Sequence, residues 1–245
     1  MSSIHNCLIF VPARGGSKGI PGKNLYPLCG KPLISYTLEI IAGLGLVDQT
    51  VISTDDEKIC NHCAGLGFEM SYRRPAELAT DESSVMDSIF DVLNWLNDKK
   101  KNPKAVVMLQ PTSPLRTTVQ VREALTIFKK THMQALASVC PALQHPYECV
   151  EADAAGGWEY LREPDQKLTR RQDYEDNFYF IDGSIYIATV DFLREYETFT
   201  MPGRTELYIT SQRNMPDIDE PEDLIIAEAL IKDNMVSEGQ AGKRA

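Results

Sequence analysis

The chain has 245 residues, of which 43% are hydrophobic and 24% are charged, and its formal net charge is −10. These values are ordinary for a globular protein that can bury a full-sized core in one domain, with room for a small insertion. The acidic balance argues against a nucleic-acid or anionic-membrane partner, because either would need a net basic face. No apolar run approaches the roughly 18 residues of a membrane span, and the first residues lack a leader pattern, so we expect a cytoplasmic protein.

Strand-like and helix-like stretches alternate along the chain. The predicted strands cover residues 8–11, 50–53, 68–72, 105–109, 135–139, 184–188 and 207–210. The predicted helices cover residues 32–44, a segment that begins at residue 55, and residues 85–96, 119–130 and 221–232. The rhythm predicts an α/β fold, a Rossmann-like three-layer sandwich with a mostly parallel central sheet.

The loop after the first strand is the most informative segment. Between residues 14 and 24 it holds four glycines, two lysines (Lys18 and Lys23) and one arginine, Arg14. Glycine tolerates the positive φ angles that turn consecutive backbone N–H groups toward one point, and the three cations add charge there. The combination favours a nucleoside triphosphate. The alternative is a glycine-rich surface turn, which would need neither the arginine nor the lysines.

Two common phosphate-binding motifs are excluded by the wording of this loop. A P-loop requires a hydroxyl side chain after its Gly-Lys pair, whereas Lys23 is followed by Asn24. The dinucleotide fingerprint requires one residue between its first two glycines, whereas Gly15 and Gly16 are adjacent.

Cys60 and Cys63 have the spacing of half a zinc site. A structural zinc site needs a second ligand pair, and none follows at metal-binding spacing. We interpret the two thiols as reduced and buried on one face of a helix.

Four polar segments follow predicted strands. They are the glycine-rich loop, residues 54–56, residues 73–74 and residues 110–112. In open parallel sheets, ligands bind outside the carboxyl ends of the strands. We therefore expect these segments to meet in one crevice.

The alternation breaks between residues 140 and 182, where prolines, a basic run (167–171) and an aromatic-rich stretch (174–180) occur. We predict an inserted subdomain over 140–182, a core formed by 1–139 and 183–234, and a flexible tail over 235–245. Aromatic density is common at subunit interfaces, so the insertion is predicted to form a homodimer. The alternative is a lid that folds back within one chain.

Residues 12–25, Pro-Ala-Arg-Gly-Gly-Ser-Lys-Gly-Ile-Pro-Gly-Lys-Asn-Leu, resemble the signature of the CMP-sialic acid synthetases, or acylneuraminate cytidylyltransferases. Further matches follow in order at 30–33, 74–79, 109–116, 183–187 and 217–219, over most of the chain. The resemblance implies transfer of CMP from CTP to the anomeric hydroxyl of a nine-carbon 2-keto sugar acid, with release of pyrophosphate. The rivals are a pseudaminate or 3-deoxy-manno-octulosonate nucleotidyltransferase and a non-catalytic nucleotide-binding module.

Nucleotidyl transfer requires positioned reactants and neutralised charge. We assign Arg14 and Lys23 to the β- and γ-phosphates of CTP, with Lys18 in support. The resemblance implies that Asn24, Arg74 and Ser84 lie at the cytidine. The full set expected to bind nucleotide is Ala13, Arg14, Gly15, Lys18, Lys23, Asn24, Arg74, Ser84 and, as an adjacent candidate, Ser83.

Asp217 and Asp219 stand two residues apart after the last predicted strand. An extended backbone puts both carboxylates on one side, where they suit Mg²⁺. The resemblance also implies a metal at this motif, and we expect Asp217 to be catalytic together with Arg14 and Lys23. The alternative for Asp219 is a helix cap, because Pro221 and an acidic residue follow it.

Gln110 and Arg171 match family positions that contact the acceptor sugar. A guanidinium pairs bidentately with a carboxylate, which a 2-keto acid supplies. Arg170 is a near-equal alternative to Arg171, and a merely solvated basic run is the remaining one.

The chain departs from sialic-acid members of the family beside the acceptor. Tyr147 and Glu148 follow a His-Pro pair where those members carry a lysine, and residues 179–183 replace their Arg-Pro-Asn-Gly. The exchange suggests a less polar or differently N-acylated sugar, such as legionaminic acid, with Tyr179 packed against its 9-deoxy end. N-acetylneuraminic acid stays open as the acceptor.

Overall fold

The computed structural model describes residues 6–163, 178–214 and 216–241. The strands are β1 (Cys7–Pro12), β2 (Pro27–Leu28), β3 (Lys31–Pro32), β4 (Thr50–Ser53), β5 (Ala105–Met108), β6 (Ala135–Pro141), β7 (Val150–Ala152), β8 (Trp158–Tyr160), β9 (Tyr179–Thr189) and β10 (Thr205–Ile209). The helices are α1 (Leu33–Gly43), α2 (Glu57–Gly65), α3 (Val85–Asp98), α4 (Thr118–Lys130), α5 (Val190–Tyr196) and α6 (Pro221–Ala241).

The central sheet has six strands in the order β10-β6-β9-β5-β1-β4. β1 pairs in parallel with β4 and β5, and β6 pairs in parallel with β10. β9 is antiparallel to both of its neighbours, β5 and β6. The predicted, mostly parallel sheet is therefore confirmed, with one antiparallel strand near its centre.

Helices cover both faces of this sheet. Side chains of β1 point alternately to the two faces, so their contacts identify the helices on each side. Ile9 and Val11 pack in one apolar cluster with residues of α1, α2 and α4. Leu8 and Phe10 pack in a second cluster with residues of α3 and α5. Phe10 is fully buried, and burial of a side chain of this size contributes about 1.5–3 kcal/mol. Two such clusters on one sheet give the predicted three layers.

Side-chain caps fix where three helices begin. Asp56 accepts hydrogen bonds from the amides of the second and third residues of α2 at 2.6 and 3.2 Å. Ser84 accepts from the amide of Met86 in α3 at 3.1 Å. Thr117 and Gln120 form a reciprocal capping box at α4. Each cap contributes about 1 kcal/mol.

The strand predicted over residues 68–72 is wrong. Phe68 and Tyr72 are both buried, but they pack in different clusters, and within the described residues the sheet ends at β4. The Tyr72 hydroxyl donates to Asp91 in α3 at 2.5 Å. The apolar residues thus anchor a loop beside β4, and their alternation does not reflect a β-ladder.

β9 is longer than predicted and contains a wide bulge. Tyr186 pairs with Ala137 and Ile181 pairs with Val139, so residues 182–185 of β9 stand opposite Ser138 alone. Gly183 adopts a φ of +70° in this bulge, a conformation that glycine adopts without steric cost. The bulge lies at the carboxyl ends of the neighbouring parallel strands.

Within the predicted insertion, β7 and β8 form a separate two-stranded sheet. The basic run 167–171, which includes Arg170 and Arg171, lies outside the described residues. α6 extends beyond the predicted residue 232 to Ala241, and flexibility of the tail stays a prediction. None of the helices in the described ranges is long and apolar enough to cross a membrane.

Candidate active site

A cleft with a volume of about 270 Å³ opens at the carboxyl ends of β1 and β5. Three of the four polar segments that the sequence predicts to converge contribute to its walls: the glycine-rich loop, Arg74 and the segment from Gln110 to Thr112. The segment at residues 54–56 reaches the loop through Asp55. The walls also include Pro12, Gly16, Ser17, Leu78, Thr80, Asp81, Ser83, Ser84, Val85 and Ser88.

Arg14 and Lys18 share one carboxylate in this structure. Arg14 Nη2 lies 2.8 Å from Asp81 Oδ1, and Lys18 Nζ lies 3.2 Å from Asp81 Oδ2. Arg14 Nη1 also donates to the carbonyl of Thr80 at 2.6 Å. The Lys18 hydrogen bond and the charges of both cations lower the pKa of Asp81. The sequence analysis did not identify Asp81, which lies two residues after the matched stretch 74–79.

Some backbone amides of the glycine-rich loop are already engaged. The amide of Ala13 donates to the carbonyl of Ser53 at 2.9 Å, and the amide of Gly15 donates to Asp55 Oδ1 at 2.9 Å. Asn24 is buried, and its side chain donates to the carbonyl of Arg14 at 2.9 Å. In the described part of the chain, the amides of residues 16–19 form no such bond. The amides of residues 16–19 are therefore candidates for anion binding.

Arg74, Ser83 and Ser84 all line the cleft. Arg74 is buried, and its Nε and Nη2 donate to the hydroxyl and the carbonyl of Ser53, each at 2.9 Å. Burial lowers the pKa of Arg74. The Ser83 hydroxyl donates to the carbonyl of Glu77 at 2.8 Å, whereas Ser84 caps α3. The structure therefore brings these three residues together with Arg14.

Lys23 connects the glycine-rich loop to the acidic motif. Its Nζ donates to Asp219 Oδ1 at 2.9 Å and to the carbonyl of Ile218 at 2.7 Å. Gly19 packs against the same segment, because a Cβ at this position would lie 2.3 Å from the carbonyl oxygen of Asp219. The two segments, far apart in sequence, are in van der Waals contact.

Asp217 is the more buried member of the acidic pair. Its Oδ1 is buried without a hydrogen-bond partner among the described residues. Burial, first, and the charge of Asp219 raise the pKa of Asp217, whereas the nearby Thr112 hydroxyl and the charge of Lys23 lower it. A buried carboxylate oxygen without a partner fits a hard divalent cation, which takes oxygen ligands.

Asp219 does not cap α6 with its side chain. The cap is provided by Asp223, whose Oδ2 accepts from the amides of Asp219 and Glu220 at 2.9 and 2.8 Å. The Asp219 carboxylate is exposed and pairs with Lys23. The geometry thus leaves Asp219 available beside Asp217, and the capping alternative loses its support.

Gln110 and Asp217 both approach Gly183 in the bulge of β9. A Cβ built on Gly183 would lie 3.4 Å from Asp217 Oδ2 and 3.8 Å from Gln110 Oε1. Thr112 donates to Gln110 Oε1 at 3.4 Å. Tyr179, in contrast, pairs with Pro141 at the exposed start of β9 and is not among the residues that line the cleft.

Two buried charged residues near this point were not identified from the sequence. Asp182, in the bulge, bonds the hydroxyl of Ser138 and accepts from the hydroxyl of Thr210 at 2.6 Å. Arg116 is 3% exposed, and burial lowers its pKa to about 9, although the charges of Asp182 and Asp217 oppose that shift. Arg116 stood in the matched stretch 109–116, but its partners come from other elements and gave no local signal.

Comparison with known proteins adds independent findings. A family model described as cytidylyltransferase matches residues 8–216. The chain is 34% identical to a CMP-N,N'-diacetyllegionaminic acid synthase of Legionella pneumophila, over 93% of this chain and 97% of that protein. It is 31% identical to an N-acylneuraminate cytidylyltransferase of Streptococcus agalactiae, over 89% of this chain and 51% of that protein. The family predicted from the sequence is confirmed.

Among solved structures, a CMP:2-keto-3-deoxy-manno-octonic acid synthetase complexed with CTP matches with a TM-score of 0.67. The identity is 18%, and the match covers 94% of this chain and 99% of that one. At this identity the likeness concerns the fold, and it confirms the predicted Rossmann-like architecture.

Proposed function

Because this chain belongs to the cytidylyltransferase family, we propose that it transfers CMP from CTP to the anomeric hydroxyl of a nine-carbon 2-keto sugar acid. The anomeric oxygen bonds to the α-phosphorus, the bond from that phosphorus to the departing pyrophosphate breaks, and the hydroxyl proton is released. A cytoplasmic location is part of this proposal. The observation that carries the proposal is the cleft of about 270 Å³, whose walls include the cations Arg14, Lys23 and Arg74. The unpartnered carboxylate oxygen belongs to Asp217, which lies at the bulge of β9 with Gln110, a residue of the cleft wall.

The contacts of Asp81 support a triphosphate beside Arg14 and Lys18. The carboxylate of Asp81 pairs with Arg14 at 2.8 Å and with Lys18 at 3.2 Å. It occupies the position that we expect for a phosphate, since carboxylates and phosphates both offer anionic oxygens to charged donors. Binding of CTP then requires Asp81 to move away from Arg14 and Lys18. The amides of residues 16–19 supply further donors, and Lys23 reaches the same space from its contact with Asp219.

The buried guanidinium of Arg74 and the hydroxyl of Ser84, which both line the cleft, support cytidine binding there. Arg74 is fixed by two bonds to Ser53, so it offers a preorganised donor at low cost in conformational entropy. Ser83 is a weaker candidate, because its hydroxyl is already engaged with Glu77 and Thr80.

Asp217 and Asp219 would hold Mg²⁺. When bound, the ion neutralises charge on the phosphate oxygens and orients the leaving pyrophosphate. The unpartnered Oδ1 of Asp217 supports this assignment, and the exposed carboxylate of Asp219 lies within its electrostatic range. Lys23, bonded to Asp219, links this acidic pair to the triphosphate side of the cleft.

For the acceptor we propose a nonulosonic acid of the legionaminic type. The support is the 34% identity to the Legionella enzyme and the position of Gln110 next to Asp217 at the bulge of β9. On the basis of the sequence, we propose that Arg171 binds the carboxylate of the sugar. Tyr179 is exposed at the start of β9. It would contact the distal end of the sugar if the bound sugar extends as far as that strand.

We also propose a homodimer formed through the inserted segment. Its small sheet exposes Val150, Trp158 and Tyr160, and the start of β9 exposes Phe180 and Ile181. Exposed apolar residues in this number support an interaction surface in this segment.

A pyrophosphate-release assay tests the proposed reaction. Each of the four nucleoside triphosphates is combined with Mg²⁺ and with N,N'-diacetyllegionaminic, N-acetylneuraminic, pseudaminic or 3-deoxy-manno-octulosonic acid. We expect release with CTP and a nonulosonic acid, and the highest kcat/KM with the legionaminic derivative. A clear preference for N-acetylneuraminic acid would overturn the acceptor assignment. CTP binding without release from any acid would support a nucleotide-binding module instead.

A further inference from the structure

Arg116 connects three elements from a fully enclosed position. It is 3% exposed and precedes α4 by two residues. Its Nη1 donates to the carbonyl of Ser184 in the bulge of β9 at 2.6 Å. Its Nη2 donates to the Thr37 hydroxyl in α1 at 2.6 Å and to the carbonyl of Gln110 after β5 at 3.1 Å.

These contacts do not make Arg116 an efficient source of stability. Enclosing a charge costs several kcal/mol unless a partner compensates it, and an apolar side chain of similar volume often does as well. In the described residues Arg116 makes no ion pair within bonding distance, and its Nε lacks a hydrogen-bond partner. Asp182 and Asp217 attract it only through space. What a guanidinium adds over an apolar group is a rigid fork of directed N–H donors.

The fork holds the backbone on both sides of the point where Gln110 and Asp217 meet. The carbonyl of Gln110 accepts from Arg116 and from the Thr37 hydroxyl at 3.3 Å, in addition to the amide of Ser113 at 3.5 Å. With its carbonyl held, Gln110 turns its side chain toward Thr112 and the bulge. The second arm of the fork fixes Ser184, the residue after Gly183.

We propose that Arg116 is a positioning residue for the sugar-acid half of the cleft. By holding Gln110 and the bulge of β9 in one register, it sets the geometry in which the acceptor meets the nucleotide. The inference rests on the proposed function, because it assigns Gln110 to the acceptor.

The nucleotide half of the cleft is held by other contacts. Arg14 is fixed by Thr80 and Asp81, and Arg74 is fixed by Ser53. Neither bonds to Arg116. A change at Arg116 should therefore impair acceptor kinetics and leave nucleotide binding nearly unchanged, whereas a general loss of stability would affect both.

The experiment compares Arg116→Lys with the wild type. Lysine keeps the charge but loses the planar fork. We expect kcat/KM for N,N'-diacetyllegionaminic acid, or for whichever tested acid the wild type uses best, to fall on the order of 10². We expect the Kd for CTP, measured by calorimetry without sugar, to change by less than about threefold, which is a difference below about 0.7 kcal/mol.

Two further variants keep the test decisive. Leu125→Ala removes a buried side chain of α4 far from the fork, and it should lower the melting temperature without changing either kinetic parameter. Thr37→Val removes one donor to Gln110 and should shift acceptor kinetics in the same direction as Arg116→Lys, but less. If Arg116→Lys does not fold, Thr37→Val gives the answer.

The inference is overturned if Arg116→Lys, or Thr37→Val in its place, leaves acceptor kinetics unchanged or weakens CTP binding as much as it impairs the acceptor. A wild type that releases no pyrophosphate with any sugar acid would instead remove the proposed function and this inference with it.

Discussion

At the scale of single residues, Arg14 carries the clearest catalytic prediction. Its guanidinium already binds an anionic group, Asp81, inside the cleft. Loss of one well-aimed donor to a transition state costs about 3–4 kcal/mol, or roughly 10²–10³ in rate. We therefore expect Arg14→Ala to lower kcat/KM for CTP by that factor, as measured by pyrophosphate release at saturating sugar acid.

Two controls belong with this measurement. Lys18 is largely exposed, so Lys18→Ala should have a smaller effect than Arg14→Ala. Arg122, on the exposed face of α4, should tolerate alanine without kinetic change. An Arg14→Ala enzyme with the wild-type kcat/KM would remove Arg14 from the phosphate site.

We expect Asp217 to be required for turnover although its ionised form lowers the stability of the folded protein. Its pKa in the folded protein lies above its ordinary value of 3.8, so the folded state holds more protons than the unfolded state in the pH range above that value. Stability must then fall as the pH rises through this range. We expect Asp217→Asn to abolish Mg²⁺-dependent turnover while its melting temperature, relative to wild type, rises from pH 4 to pH 7.

Differential scanning fluorimetry without metal at several pH values measures this relation. A melting temperature that drops uniformly at every pH, with turnover retained, would show that Asp217 is a structural residue. Asp219→Asn should reduce turnover with little change in stability, since its carboxylate is exposed and α6 is capped by Asp223.

At the scale of elements, the close approach of the glycine-rich loop to the acidic motif is the critical packing contact. A Cβ on Gly19 would lie 2.3 Å from the carbonyl oxygen of Asp219, whereas a Cβ on Gly16 would meet nothing within 4 Å. We expect Gly19→Ala to destabilise the protein by about 1–3 kcal/mol, as overpacking does, and to raise the Mg²⁺ concentration needed for half-maximal rate.

Gly16→Ala is the matched control. It adds the same methyl group in the same loop, so it should leave both the unfolding free energy and the metal requirement near wild type. Equal effects of the two substitutions in urea unfolding would mean that the contact between the loop and residue 219 is not tight in solution.

Local patterns predicted most elements, and they failed where structure depends on distant partners. The cap at Asp56 and the strand Thr50–Ser53 follow from neighbouring residues alone. The apolar stretch from Phe68 to Tyr72 resembles a strand, but whether it pairs depends on space beside β4. The bulge opposite Ser138 is stabilised by long-range bonds of Asp182 to Ser138 and Thr210, which spacing along the chain does not encode.

The same division holds for the candidate site. The rule that loops at the carboxyl ends of parallel strands meet was sufficient to bring Arg14, Arg74 and Gln110 together. It could not identify Asp81 or Arg116, because their importance lies in which side chain or carbonyl they contact. Composition likewise gave no indication that the amide of Gly15 is bound by Asp55.

At the scale of the whole molecule, the inserted segment is predicted to hold two copies together. We expect the wild type to elute as a dimer in size-exclusion chromatography with light scattering. Trp158 is 61% exposed, so Trp158→Arg should disrupt the interface without disturbing the core. The expected product is a folded monomer with an unchanged circular dichroism spectrum.

Ile225→Arg provides the control, because Ile225 is 71% exposed on α6, outside the insertion. It should remain dimeric. A wild type that is monomeric at all concentrations would favour the alternative in which the insertion is a lid within one chain.

A crystal structure of the protein with CTP and Mg²⁺ tests the central claim most directly. The account predicts the triphosphate against Arg14, Lys23 and the amides of residues 16–19, with Asp81 displaced from both cations and the metal ion on Asp217. A triphosphate bound elsewhere, or a cleft in which Asp81 keeps both ion pairs while CTP is bound, would contradict it.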